Sequence, residues 1–127
     1  MSANRNVRGI LLAAALLLSA CGPAAGAGGP APSAPPGGAV IVASGTAFDR
    51  NEIDVPADVS FTLLFDNRDG VPHNVTVVDP AGMAVFVGDT FSGPSSREYA
   101  LPALAAGRYR FRCDVHVDMS GDLIAGA

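Results

Sequence analysis

Lysine is missing from this sequence altogether, and its 127 residues hold only two cysteines and two histidines. Two of the eight arginines, Arg5 and Arg8, sit in an N-terminal leader, so six arginines face twelve acids beyond it, a formal charge of −6. That balance argues against nucleic acid, whose phosphates call for a basic surface, and against a polybasic patch for anionic lipid. The acids are spread along the chain and read as a solvated surface; they form no oxygen cluster of the kind that hard cations require. Ser95 and Ser96 have no visible base, so nucleophilic catalysis of the serine–histidine type has no footing. Internal repeats and phosphate-cradling glycine patterns are also lacking.

What is present begins with an address. Arg5 and Arg8 precede "GILLAAALLLSA" (9–20), an apolar run too short to span a bilayer comfortably. The pattern is that of a secretory signal peptide, residues 1–20. Its end, Leu18-Ser19-Ala20-Cys21, resembles a bacterial lipobox, in which the cysteine becomes the lipid-bearing mature N-terminus. The plainer alternative is cleavage near Ala20 with Cys21 a bystander. Residues 22–38 are almost wholly Gly, Pro and Ala, with no material for a core. With Cys21 they form a linker, 21–38, that as a flexible coil reaches about 20–25 Å. The expected location is therefore extracytoplasmic: periplasmic or cell-surface, held to the membrane through lipid at Cys21.

The globular part is expected at 39–127. It shows no helical period; short β-branched and aromatic runs are cut by Gly, Pro, Asn and Asp. "GRYRFRC" (107–113) alternates strictly, with Arg108, Arg110 and Arg112 on one face and Tyr109, Phe111 and Cys113 on the other. The fold class is all-β, a sandwich of about 7–8 short strands. "HNVTVVD" (73–79) reads as one strand that aims His73, Val75 and Val77 toward the core, and Met83 reads as core filler, with a place at the mouth of a site as the alternative.

Cys113 is the one cysteine in the globular part. If Cys21 is acylated, no disulfide partner remains, and a thiol in an oxidising compartment is at risk. A metal bond is a reason to keep it. His73 alone would read as a hydrogen-bonded core histidine. Yet the other histidine, His116, lies three residues from Cys113, and Met119 three residues further. Two imidazoles, one thiolate and a weak thioether describe a trigonal site with a long axial ligand, the donor set of type 1 copper. Zinc gains nothing from methionine and normally takes a carboxylate or water. Binuclear copper on two bridging thiolates needs a second nearby cysteine.

"VPHNV" (71–75) together with "YRFRCDVHVDMSG" (109–121) is similar to the copper-binding signature of the cupredoxins, the small blue copper proteins. The likeness runs from about Phe48 to Ile124. It implies a Greek-key β-sandwich with one copper held by His73, Cys113, His116 and, axially, Met119. It implies that Asn74 steadies the Cys113 loop from behind the ligands, and that His116 is the solvent-edge ligand where the electron leaves. The implied activity is electron transfer by a monomer that meets redox partner proteins; a copper-handling protein without redox turnover is the alternative. Oxidase or reductase activity in this fold needs a second copper site, which two histidines cannot furnish. Amicyanin and plastocyanin carry proline beside the loop histidine, where this chain has Val115 and Val117. The loop also holds Asp114 and Asp118. A carboxylate about 8 Å from the metal is worth roughly 2 kcal/mol at an effective dielectric of about 20, or roughly 85 mV for one electron. Both aspartates are therefore expected to lower the potential.

Overall fold

A computed structural model of the chain describes residues 32–126. The expected leader, Cys21 and the expected linker as far as residue 31 lie outside the described residues. Among the described residues eleven strands follow one another: β1 (Ala39–Ser44), β2 (Ala47–Phe48), β3 (Glu52–Pro56), β4 (Phe61–Asn67), β5 (Pro72–His73), β6 (Thr76–Val78), β7 (Ala84–Val87), β8 (Phe91–Ser92), β9 (Ser95–Leu101), β10 (Gly107–Arg112) and β11 (Ser120–Gly126). Three of them, β2, β5 and β8, have only two residues. The other eight run from three to seven residues, in line with the expected all-β class.

One sheet has the order β2-β1-β4-β9 and the other β3-β11-β10-β6-β7; β5 and β8 form a small third sheet. The sandwich is mixed rather than antiparallel throughout, because β1 pairs parallel with β4 and β3 parallel with β11. These pairings join segments distant in sequence, and nothing in local alternation encodes their direction. Ile41, Leu63 and Phe65 from the first sheet meet Val77, Phe111 and Leu123 from the second, all fully buried. Phe48 bridges the layers, its ring 6.3 Å from Phe65 and 5.4 Å from Phe111. On β10 the arginines face water while Phe111 is buried and Tyr109 half-buried, as the alternation requires.

Two details differ from the sequence reading. The stretch 73–79 is not one strand: it breaks after His73, and β5 pairs with β8 while β6 pairs with β10 and β7. Residues 73–78 are buried at every position, so enclosure on both sides rather than parity puts His73 inside. Met83, expected as core filler, is 69% exposed, because it lies just before β7, the edge strand of its sheet.

Gly121 pairs with Phe111 across β10 and β11. A Cβ there would run into the Phe111 ring and come within 2.7 Å of the Asn51 carbonyl oxygen. Phe111 is fully buried and cannot swing aside. Gly121→Ala is therefore expected to destabilise the domain by about 1–3 kcal/mol, read as a lower urea midpoint at unchanged slope.

Candidate metal centre

The hairpin of β10 and β11 is in register from Gly107↔Ala125 to Arg112↔Ser120, leaving the seven residues 113–119 as its loop. The loop closes on itself through two backbone bonds: Cys113 N–H donates to the Met119 carbonyl at 2.9 Å, and Met119 N–H to the His116 carbonyl at 3.0 Å. These bonds hold a turn that carries no proline. They leave Cys113 and Met119 each 2% exposed, within the core cluster, and His116 half-buried at the surface.

His73 arrives from β5, on a separate part of the chain. Its Nδ1 lies 3.9 Å from Cys113 Sγ, and His116 Nδ1 lies 3.8 Å from the same sulfur. The two imidazole rings are 4.6 Å apart, tilted by 50°. All three donor atoms fall within 4.8 Å of one another. Typical bonds of about 2.3 Å to sulfur and about 2.05 Å to imidazole, spread at 120°, separate the donors by about 3.8 Å. The observed sulfur–nitrogen distances fit such a centre without movement of the backbone. Met119 is buried at the end of the same loop, its carbonyl bonded to the Cys113 N–H.

The ligand loop is tied to the rest of the sandwich through Asn74, which is 2% exposed. Asn74 Oδ1 accepts the Asp114 N–H at 2.8 Å, and its Nδ2 donates to Asp114 Oδ2 at 2.8 Å. The same carboxylate oxygen accepts the Thr76 hydroxyl at 2.6 Å, and Oδ1 accepts from Arg112 Nε at 3.1 Å. The Thr76 hydroxyl, then Asn74 and Arg112, hold the Asp114 carboxyl below the usual aspartate range. Asp114 is thus engaged in the scaffold and partly neutralised by Arg112, whereas Asp118 is exposed to water. Screening weakens both as determinants of the metal's charge balance.

Asp69 stands behind one of the histidines, a role the sequence did not single out. Its Oδ2 lies 2.8 Å from Nε2 of His73, whose side chain is fully buried. Asp69 Oδ1 accepts the Gly45 N–H at 2.8 Å, and Oδ2 also accepts the Thr46 N–H at 3.0 Å. The Thr46 amide first, then Gly45 and His73, lower its pKa below the ordinary aspartate value. The turn that carries it is pinned by fully buried Asn67: Oδ1 accepts the Asp69 N–H, and Nδ2 donates to the carbonyls of Val71 and Phe91 at 3.1 and 2.7 Å. A carboxylate four residues before a buried histidine was the available signal. Asn-Arg-Asp-Gly is so ordinary a turn that it masked it.

Fold and site together define a class: a small β-sandwich metalloprotein with one thiolate and two imidazoles gathered at one end of the sandwich. Residues 9–125 match the family model described as the cupredoxin-like domain, and the chain belongs to that family. Among solved structures it is similar to reduced auracyanin from Roseiflexus castenholzii, at 20% identity and a TM-score of 0.64, covering 75% of this chain and all of that one. Auracyanin A, a "blue" copper protein from Chloroflexus aurantiacus, aligns at 24% identity and a TM-score of 0.59, over 68% of this chain and 96% of that one. Amicyanin from Paracoccus versutus aligns at 24% identity and a TM-score of 0.57, over 72% and 84%. No curated protein sequence matches the chain. The donors present, two imidazoles and a thiolate with a methionine at the loop's end, fit one type 1 copper.

Proposed function

We propose that this chain is an extracytoplasmic electron carrier in which His73, Cys113, His116 and Met119 hold a single type 1 copper. The observation that carries the reading is the meeting of His73 Nδ1 with Cys113 Sγ and His116 Nδ1, across forty residues of sequence, inside a family of this fold. Bound copper supplies a one-electron couple. The residues do the rest. The β5 strand, the hairpin loop and the Asn74–Asp114 bonds keep the donors in one arrangement, so little has to move when charge changes. His116 is half-buried between Val115 and Val117, which are 45% and 87% exposed. An apolar rim around a partly exposed ligand suits brief contact with a partner protein and quick release. Both histidines being committed, none is left for a second copper, which supports a carrier rather than an oxidase.

The signal peptide at 1–20 and the linker at 21–38 support export and tethering through Cys21, with the cupredoxin-like domain at 39–127 acting as a monomer near the membrane. Redox proteins at the same surface are the partners.

The test is copper(II) titration of the apo protein, followed by repeated chemical reduction and reoxidation. One equivalent is expected to give an intense blue thiolate-to-copper band that bleaches and returns in every cycle. Copper uptake without reversible cycling would favour copper handling instead, and no colour would defeat the ligand set. In cells, Cys21→Ala is expected to move the protein from the membrane to the soluble fraction.

A further inference from the structure

We propose that Asp69 is a positioning residue of the metal centre: its carboxylate holds the His73 ring in one orientation and tautomer and leans the site toward the oxidised ion. This rests on the copper reading above and names a residue that the ligand set does not include. The geometry is specific. His73 is fully buried, so its Nε2 must find a partner inside the protein. That partner is Asp69 Oδ2 at 2.8 Å. A carboxylate only accepts, so in the neutral ring the proton sits on Nε2 and the lone pair sits on Nδ1. Nδ1 is the atom that faces Cys113 Sγ.

The carboxylate cannot easily turn away. The Gly45 and Thr46 amides bind it from the other side, in the turn between β1 and β2, where both residues have positive φ, 62° and 58°. Asn67 and Gly93 fix the Asp69 backbone itself: Asp69 N–H donates to Asn67 Oδ1, and the Asp69 carbonyl accepts the Gly93 N–H at 2.7 Å. The Asp69 side chain is 17% exposed, so water screens it only in part. A carboxylate behind a ligating imidazole raises the ligand's basicity and fixes its ring, and losing such a partner typically costs 10–100-fold in metal affinity. Its negative charge also stabilises the more highly charged oxidation state.

Two variants separate the effects. Asp69→Asn keeps an oxygen that can accept from Nε2–H but removes the charge, and its amide nitrogen gives up one of the two turn bonds. The ratio of Cu(II) to Cu(I) affinity is expected to fall about tenfold, a rise of about 59 mV in potential. Asp69→Ala removes both effects and is expected to weaken copper(II) binding by about 10–100-fold. Nitrogen-15 NMR of the metal-free wild type is expected to show the neutral His73 ring protonated on Nε2, and Asp69→Ala to show a mixture of tautomers. A purely structural role predicts something different: lower melting temperatures with an unshifted potential and an unchanged tautomer. That result, or a wild-type ring protonated on Nδ1, overturns the inference. Should Asp69→Ala fail to fold, the wild-type spectrum and Asp69→Asn still decide. A protein that takes up no copper defeats the ligand reading, and the metal-free NMR then decides Asp69 alone.

Discussion

Cys113→Ser is expected to abolish the visible absorption of the copper-loaded protein while leaving the sandwich folded. The blue band requires electron density on a thiolate sulfur, and no other cysteine lies among the described residues. A hydroxyl keeps nearly the same volume, so β10, β11 and their loop bonds, which are backbone to backbone, have no reason to change. The cost to the metal-free protein is that of a buried hydroxyl at a site 2% exposed, about 1–3 kcal/mol if it finds no partner. The loss to the loaded protein is larger. Copper present at a thousand times its dissociation constant adds about 4 kcal/mol to stability, and that increment disappears with the soft donor. Calorimetry of both forms, with and without copper, measures the two quantities separately. Retention of an intense blue band in the serine variant sinks the assignment of Cys113.

Asn74→Ala is expected to be the most damaging change that removes no ligand. Asn74 carries both the acceptor for the Asp114 amide and a donor to the Asp114 carboxylate. It also donates, at 3.3 Å, to the Thr76 hydroxyl and the Gly88 carbonyl. Truncation strands a backbone donor and weakens the binding of a charged acceptor, a loss of about 2–4 kcal/mol. For a domain of this size that lowers the melting temperature on the order of 10–20 °C. Thr76→Val removes one hydroxyl bond, at 2.6 Å, and keeps the rest, so about 1–2 kcal/mol is expected. The order Asn74→Ala well below Thr76→Val, measured by denaturant unfolding of the metal-free protein, checks that the network hangs on the asparagine. Since Asp114 follows Cys113 directly, Asn74→Ala is also expected to release copper faster. Equal stabilities for the two variants would show that water replaces Asn74 and that the loop is held by other means.

The legibility of the molecule varied with the range of the interaction. Strand β10 was readable because its alternation of arginine with Tyr109, Phe111 and Cys113 is a local pattern with a period of two. The loop after it was readable because a thiol, an imidazole and a thioether in seven residues are a chemical pattern, whatever their coordinates. The break between β5 and β6 was not readable, because residues 73–78 are buried on every side and parity then carries no information. Met83 was misplaced for the converse reason: an apolar residue at a sheet edge has the same local surroundings in sequence as one inside. Asp69 looked like a turn residue and is one, but its carboxylate reaches His73 and the Gly45–Thr46 turn, more than twenty residues earlier.

Residue types and their spacing alone determined the all-β class, the outward arginines of β10 and the donor set that fits copper. Those properties follow from short-range periodicity and from which atoms can bind a soft metal. Only the tertiary structure decided that β1 and β4 run parallel, that β5 leaves its neighbour to pair with β8, and that an aspartate stands behind His73. These depend on which distant segments meet when the two sheets close on one core, and no local pattern in a chain specifies that.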